Sequence, residues 1–90
     1  MPRFDWNPAK AKSNFAKHGV SYEDARGAFD DSKGLDFEDD PDEETGAPRY
    51  RLIGASSVGL LVVAYVERDA VRIMSARKAE KHEKKRYREG

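Results

Sequence analysis

The sequence predicts a small α+β domain, with two short helices ahead of a mainly antiparallel sheet and a third helix after it. Three observations carry this prediction. Capping signals bracket two helical stretches between Asn7 and Phe29, strand-like alternation with turn residues fills Arg49 to Ala76, and lysine, arginine and glutamate dominate from Lys78 onward. At 90 residues one domain over 1–90 is expected, because so short a chain buries only roughly 60–65% of its unfolded surface and cannot divide into two cores.

Phe4-Asp5-Trp6 reads as a short first strand. Asn7-Pro8 follows as an N-cap with proline at the first helical position, where its missing N–H costs nothing. A first helix is predicted from Pro8 to His18, ended by Gly19, with Lys17 and His18 placed where the helix dipole favours cations. Ser21 and Asp24 resemble a capping box for a second helix reaching Phe29, with Tyr22, Ala25 and Phe29 on one face. A strand is expected around Leu35-Asp36-Phe37, then an acidic loop over about 38–48 that is a candidate for disorder. Three strands follow as an antiparallel meander: Arg49 to Ala55, Leu60 to Glu67 and Ala70 to Ala76. The middle one is apolar on both faces and belongs at the sheet centre. A basic helix over about 78–89 closes the chain, giving the order β-α-α-β-β-β-β-α.

Charged and hydrophobic residues each make up 38% of the chain and the formal net charge is zero, so the core is thin and the surface ionic. Charge is nevertheless sorted along the sequence. Nine acidic residues face the single Lys33 between Asp30 and Glu44, whereas Ala76 to Gly90 holds seven Lys/Arg against three glutamates. The absence of cysteine removes disulfides and Cys-ligated zinc. The longest apolar run, Leu60 to Val66, is too short to span a bilayer, and Met1 to Trp6 lacks a secretory core, so a cytoplasmic location is expected.

Alternation along the strands turns Tyr50, Leu52, Val71 and Ile73 towards the helices. Arg49, Arg51 and Arg72 are thereby expected on an uncovered opposite face, as RNA contacts or simply as its solvated side. In the last helix Arg77, Lys81, Lys84 and Arg88 fall into one cationic stripe, with only Ala79 and Tyr87 as apolar footing. On the first helix Lys10, Asn14, Lys17 and His18 share a face. Asn14 is a poor mid-helix residue unless its side chain finds a partner. Trp6, Tyr50 and Phe15 are expected to pack in the core rather than stack on bases.

No Walker loop, GxGxxG, HExxH or nucleophile elbow occurs. Asp36, Glu38, Asp39 and Asp40 offer oxygen ligands, but carboxylates on a loop hold Mg²⁺ weakly, and neither metal nor cofactor is expected. RNA can be cleaved without one, because its 2′-OH is a nucleophile once the adjacent phosphate is clamped by fixed positive charge and protons are managed nearby. Arginine suits the clamp through its bidentate fork, and His18, His82, Lys17 and Tyr87 are the candidate proton carriers.

Three ordered blocks add to this reading: Phe4-x-Trp6-Asn7-x-x-Lys10-x-x-x-Asn14-x-x-Lys17-His18-Gly19-Val20, then Arg49-Tyr50-x-x-Ile53-Gly54-x-Ser56, then Arg72-Ile73-Met74-Ser75-Ala76-Arg77-Lys78-Ala79, with Glu83 and Tyr87 beyond. In these the chain resembles the BrnT family of bacterial type II toxins, ribonucleases with a RelE-like fold. Asn7 stands where that family usually has Asp, and Met74 where it has a more aliphatic residue. The resemblance implies metal-independent RNA cleavage, translation arrest, and a cognate ribbon-helix-helix antitoxin of the BrnA kind. That antitoxin silences the toxin and carries it to operator DNA. Arg72 and Arg77 match the third block and are the implied phosphate ligands, with His18, Lys17 and Tyr87 in acid–base roles. Lys10, Asn14, Arg49, Arg51, Lys81, Lys84 and Arg88 are expected along the RNA. A non-catalytic RNA- or protein-binding module, or a metal nuclease using the acidic loop, stays open at this point.

Overall fold

The computed structural model describes residues 3–90; Met1 and Pro2, part of the N-terminal stretch read above, lie outside the described residues. Its elements are β1 (Phe4–Asp5), α1 (Pro8–His18), α2 (Tyr22–Gly27) continued by a 3-10 turn (Ala28–Asp30), β2 (Leu35–Asp39), β3 (Arg49–Ser56), β4 (Gly59–Glu67), β5 (Val71–Lys78) and α3 (Lys81–Glu89). One five-stranded mixed sheet results, in the order β1-β5-β4-β3-β2. Only β1 runs parallel to its neighbour, pairing Phe4 with Val71 and Asp5 with Arg72.

The helix boundaries follow from local chemistry. Asn7 Oδ1 accepts from the Ala9 and Lys10 amides at 2.9 and 3.3 Å, and Gly19 takes a left-handed φ of 71° that returns its N–H to the Phe15 carbonyl. Ser21 Oγ caps α2 through the Asp24 amide at 3.0 Å. The helix gives way to the tighter 3-10 turn at Ala28, where β3 passes close by. A Cβ on Gly54 would stand 2.6 Å from the Ala28 carbonyl oxygen, so only glycine allows this approach.

The main core lies between the helices and one sheet face. Val20, Tyr22, Ala25 and Ala28 meet Leu52, Leu61, Val63, Tyr65, Val71, Ile73 and Ala76, with Phe4, Trp6, Phe29 and Tyr50 at its margin. Central β4 is buried from Leu61 to Val66, as its two-sided apolarity predicts. Phe15 departs from expectation. It points away from this core and is 56% exposed.

Two further expectations are corrected. The second sheet face is not left uncovered, because α3 crosses it and builds a smaller cluster of Ile53, Val62 and Ala79 with Phe37, Leu60 and Tyr87. Arg77 does not begin the cationic helical stripe either, since β5 continues through Lys78 and the helix starts only at Lys81. Strand alternation then sends Arg77 under α3, opposite Val62. There it meets Glu83, the residue that locks the start of the helix: Glu83 accepts from the Glu80 amide at 2.8 Å in a reciprocal capping box.

With only two residues, β1 leaves the outer edge of β5 unpaired beyond Arg72. Asn14 closes that edge from α1. Its amide donates to the Ala76 and Val20 carbonyls at 2.9 and 3.1 Å, and its oxygen accepts from the Ala76 N–H at 3.1 Å. A side-chain amide thus imitates a neighbouring strand, which explains a buried asparagine in mid-helix. Tyr22 Oη donates to the Met74 carbonyl at 2.8 Å, beside the irregularity where the β4–β5 register shifts between Ala64 and Tyr65.

Candidate functional site

Edge closure by Asn14 fixes α1 along β5, and the same helix face then carries its cations to the sheet. Lys10, Lys17 and His18 of α1 line one cleft of about 670 Å³ together with Arg49 of β3 and Met74 and Ser75 of β5. Among the described residues, no carboxylate lines this cleft. Arg49, Val66 and Arg72 stand in one row across β3, β4 and β5, which puts the two arginine positions about 10 Å apart on the same face at the usual strand spacing.

Arg49 is also where the sorted charges meet. Asp39 and Asp42 of the acidic loop flank it. Asp39 is held below the usual carboxylate range chiefly by the Asp40 amide and further by Arg51 and Arg49, and Asp42 chiefly by Thr45 with Arg49 adding to it. Among the described residues, Arg49 Nε is the side-chain polar atom buried without a hydrogen-bond partner. A desolvated guanidinium N–H with no acceptor is costly. The loop itself is organised by short-range bonds, with Thr45 Oγ1 donating to Asp42 at 2.9 Å and Gly46 N–H bonding the Asp42 carbonyl at 2.8 Å.

The sequence-predicted residues fall into three groups. Lys10, Lys17, His18 and Arg49 converge on the cleft, and Asn14 lines it with its amide already engaged by backbone. Arg72 lies one step away, beside Lys10 and Met74 in an adjoining groove of about 580 Å³, and is paired with Asp5 at 2.9 Å in an exposed ion pair. The rest lie elsewhere. Arg77 forms a two-pronged ion pair with Glu83 at 2.7 Å on each arm, and Tyr87 donates to Asp31 at the end of the 3-10 turn. Arg51 pairs with Asp39 at 3.1 Å, and Lys81, Lys84 and Arg88 stand exposed on α3 without lining the cleft.

Hydrogen bonding, from the Arg77 guanidinium first and the Glu80 amide next, pushes the Glu83 carboxyl down to about 2 against the opposing effect of burial, and the same contact raises Arg77. Arg86 adds a stacked contact, its guanidinium 4.1 Å from the Phe37 ring centre. The α3 interface is therefore held by ionic and cation–π contacts as much as by apolar area. Sequence reasoning missed Glu83 as the partner of Arg77, although Glu80-x-x-Glu83 ahead of a helix is a readable capping signature. It also missed Ser75 in the cleft, which one-residue alternation without a register shift does not place.

The acidic loop does not assemble a cation site. Asp36 accepts from Tyr65 Oη on the helix-facing side of β2, whereas Asp39 faces the other way and pairs with Arg51. Among the described residues, Glu80, His82 and Glu83 come close enough together to share an ion, but Glu83 has both oxygens committed to Arg77. No described helix is long and apolar enough to cross a membrane.

Fold and cleft together define a class: a small α+β protein that gathers basic side chains, Lys10, Lys17, His18 and Arg49, at a helix–sheet junction. Residues 6–83 match the family model described as ribonuclease toxin, BrnT, of type II toxin–antitoxin systems, and the chain belongs to that family. Membership implies an RNA substrate and an antitoxin partner. No curated protein matches the chain significantly.

Proposed function

We propose that this protein is a metal-independent endoribonuclease, RelE-like in its fold, that cleaves RNA in the cleft between α1 and β5 and thereby arrests translation. The observation that carries the reading is the lining of that cleft: Lys10, Lys17, His18 and Arg49 with no acidic residue. Such a donor set suits a phosphate and offers no carboxylate to Mg²⁺.

In this reading Arg49 and Lys10 clamp the scissile phosphate, and His18 and Lys17 manage protons. A base removes the 2′-OH proton as the O2′–P bond forms. The P–O5′ bond breaks, and the departing 5′ oxygen takes up a proton from the conjugate acid. The products are a 2′,3′-cyclic phosphate and a 5′-OH end. Arg72 supports the clamp from the adjoining groove. Arg77 and Tyr87 hold α3 in place and take no part in the chemistry. The antitoxin, of the BrnA ribbon-helix-helix kind, covers the cleft, stabilises the fold and brings the complex to operator DNA.

The test uses the purified chain freed of its antitoxin, incubated with RNA in EDTA. Fragments ending in 2′,3′-cyclic or 3′-phosphate are expected, and both cleavage and its absence must be read on protein shown to be folded. Intact RNA with folded protein overturns the proposal, as does activity that EDTA abolishes and Mg²⁺ restores. Added antitoxin is expected to raise the melting temperature and stop cleavage.

A further inference from the structure

We propose a second phosphate subsite, formed by Arg68 and Arg3 beyond Arg72, that holds the RNA backbone away from the reacting phosphate; it rests on the ribonuclease reading above. Continuity of the surface carries the inference. Lys10 and Met74 line both the reacting cleft and the adjoining groove, so the two meet along a shared wall. Arg68 and Arg72 line that groove and also the next hollow of about 360 Å³, which Arg3 joins. A cationic track therefore runs from Lys17 past Lys10 and Arg72 to Arg3.

The far end of the track is fixed by backbone rather than by chance side-chain proximity. Val71 N–H donates to the Arg3 carbonyl at 2.7 Å and Arg68 N–H to the Ala70 carbonyl at 3.1 Å, so both stems leave the same β4–β5 corner. Arg3 and Arg68 are exposed and form no ion pair with any described residue. Asp42 and Glu44 form the opposite wall of the groove, while Asp5 and Asp69 share the far hollow. The acidic wall repels a polyanion and so confines it to the arginine side. The Arg72–Asp5 pair is exposed on both partners and gives way readily to a phosphate. A continuous polyanion fits this arrangement better than a single free anion, because the positive charges are spaced along a path.

The experiment measures binding of 2′-O-methyl oligoribonucleotides of graded length, which lack the nucleophile and separate binding from cleavage. Salt dependence is compared for wild type, R3Q/R68Q, and a control, K33Q/K85Q, that removes the same charge off the track. Wild type should show a steeper slope as length increases. R3Q/R68Q should lose about 0.7 per phosphate contact removed, up to about 1.4, on long oligonucleotides and nothing on a dinucleotide. Equal slopes for wild type and R3Q/R68Q, or an equal loss in the control, overturn the subsite. Wild type that binds with this length dependence but never cleaves RNA defeats the ribonuclease reading and leaves the subsite standing. Cleavage without length-dependent binding does the reverse.

Discussion

Replacing Glu83 with glutamine removes a charge from beneath α3 while keeping the capping geometry, since a glutamine oxygen can still accept from the Glu80 amide. Glu83 is 6% exposed, its carboxylate grips both arms of Arg77, and its carboxyl sits at about 2 against an ordinary 4.5. At about 1.4 kcal/mol per tenfold change in proton affinity, that depression is worth about 3 kcal/mol at neutral pH. Leaving Arg77 without its ion-pair partner costs about 3–5 kcal/mol by analogy with other buried pairs, and its one-third exposure argues for the lower figure. Since about 1 kcal/mol moves the melting point of a domain this size by about 4–8 °C, E83Q should melt roughly 12–24 °C below wild type at pH 7. A depressed carboxyl stabilises the fold above its unfolded value and loses that contribution as pH falls from about 4.5 towards 2. Urea denaturation of both proteins at pH 7, 4 and 3 should therefore show the gap closing with acid. A gap unchanged between pH 7 and pH 3, or E83Q as stable as wild type at pH 7, refutes this account of α3 attachment.

Three other substitutions separate framework from site. Asn14→Ala strands the Ala76 N–H and removes donors from the Ala76 and Val20 carbonyls, so urea unfolding should show a loss of about 2–4 kcal/mol, from buried groups worth about 1–3 each. Tyr87→Phe should keep cleavage within about tenfold of wild type, against the ~10²–10⁴-fold loss that removing a general acid or base brings; a single-turnover assay on folded protein decides it. Arg49→Gln, by contrast, should abolish most cleavage while leaving the far-UV spectrum unchanged; retained activity would move the clamp elsewhere.

Much of the fold was legible because its signals are local. Asn7-Pro8, Gly19 and Ser21 mark helix ends through bonds spanning two to four residues, and the two-sided apolarity of β4 places it at the centre whatever its neighbours are. Residues lining the cleft were legible in part for the same reason, since Lys10, Lys17 and His18 share one turn-to-turn face. The partners of Arg77 and Tyr87 were not legible because they are set by how α3 docks, and the polar chemistry that suits an arginine or tyrosine to catalysis is the same chemistry that ties a helix to a sheet. Phe15 shows the converse: an aromatic ring signals burial only where a surface arrives to cover it.

The sequence by itself determined the order of helices and strands and the capped ends of the first two helices, the face of each strand up to the register shift near Met74, and the separation of acidic from basic segments. Tertiary structure decided which charges are spent and which are free. Glu83 claims Arg77, Asp39 claims Arg51 and Asp31 claims Tyr87, while Arg49 keeps a buried N–H without an acceptor among the cations of α1. The physical reason is range. Capping and alternation act over a few residues, whereas an ion pair needs two side chains brought within about 3 Å, and only the packing of α1 along β5 and of α3 across the opposite face sets those distances.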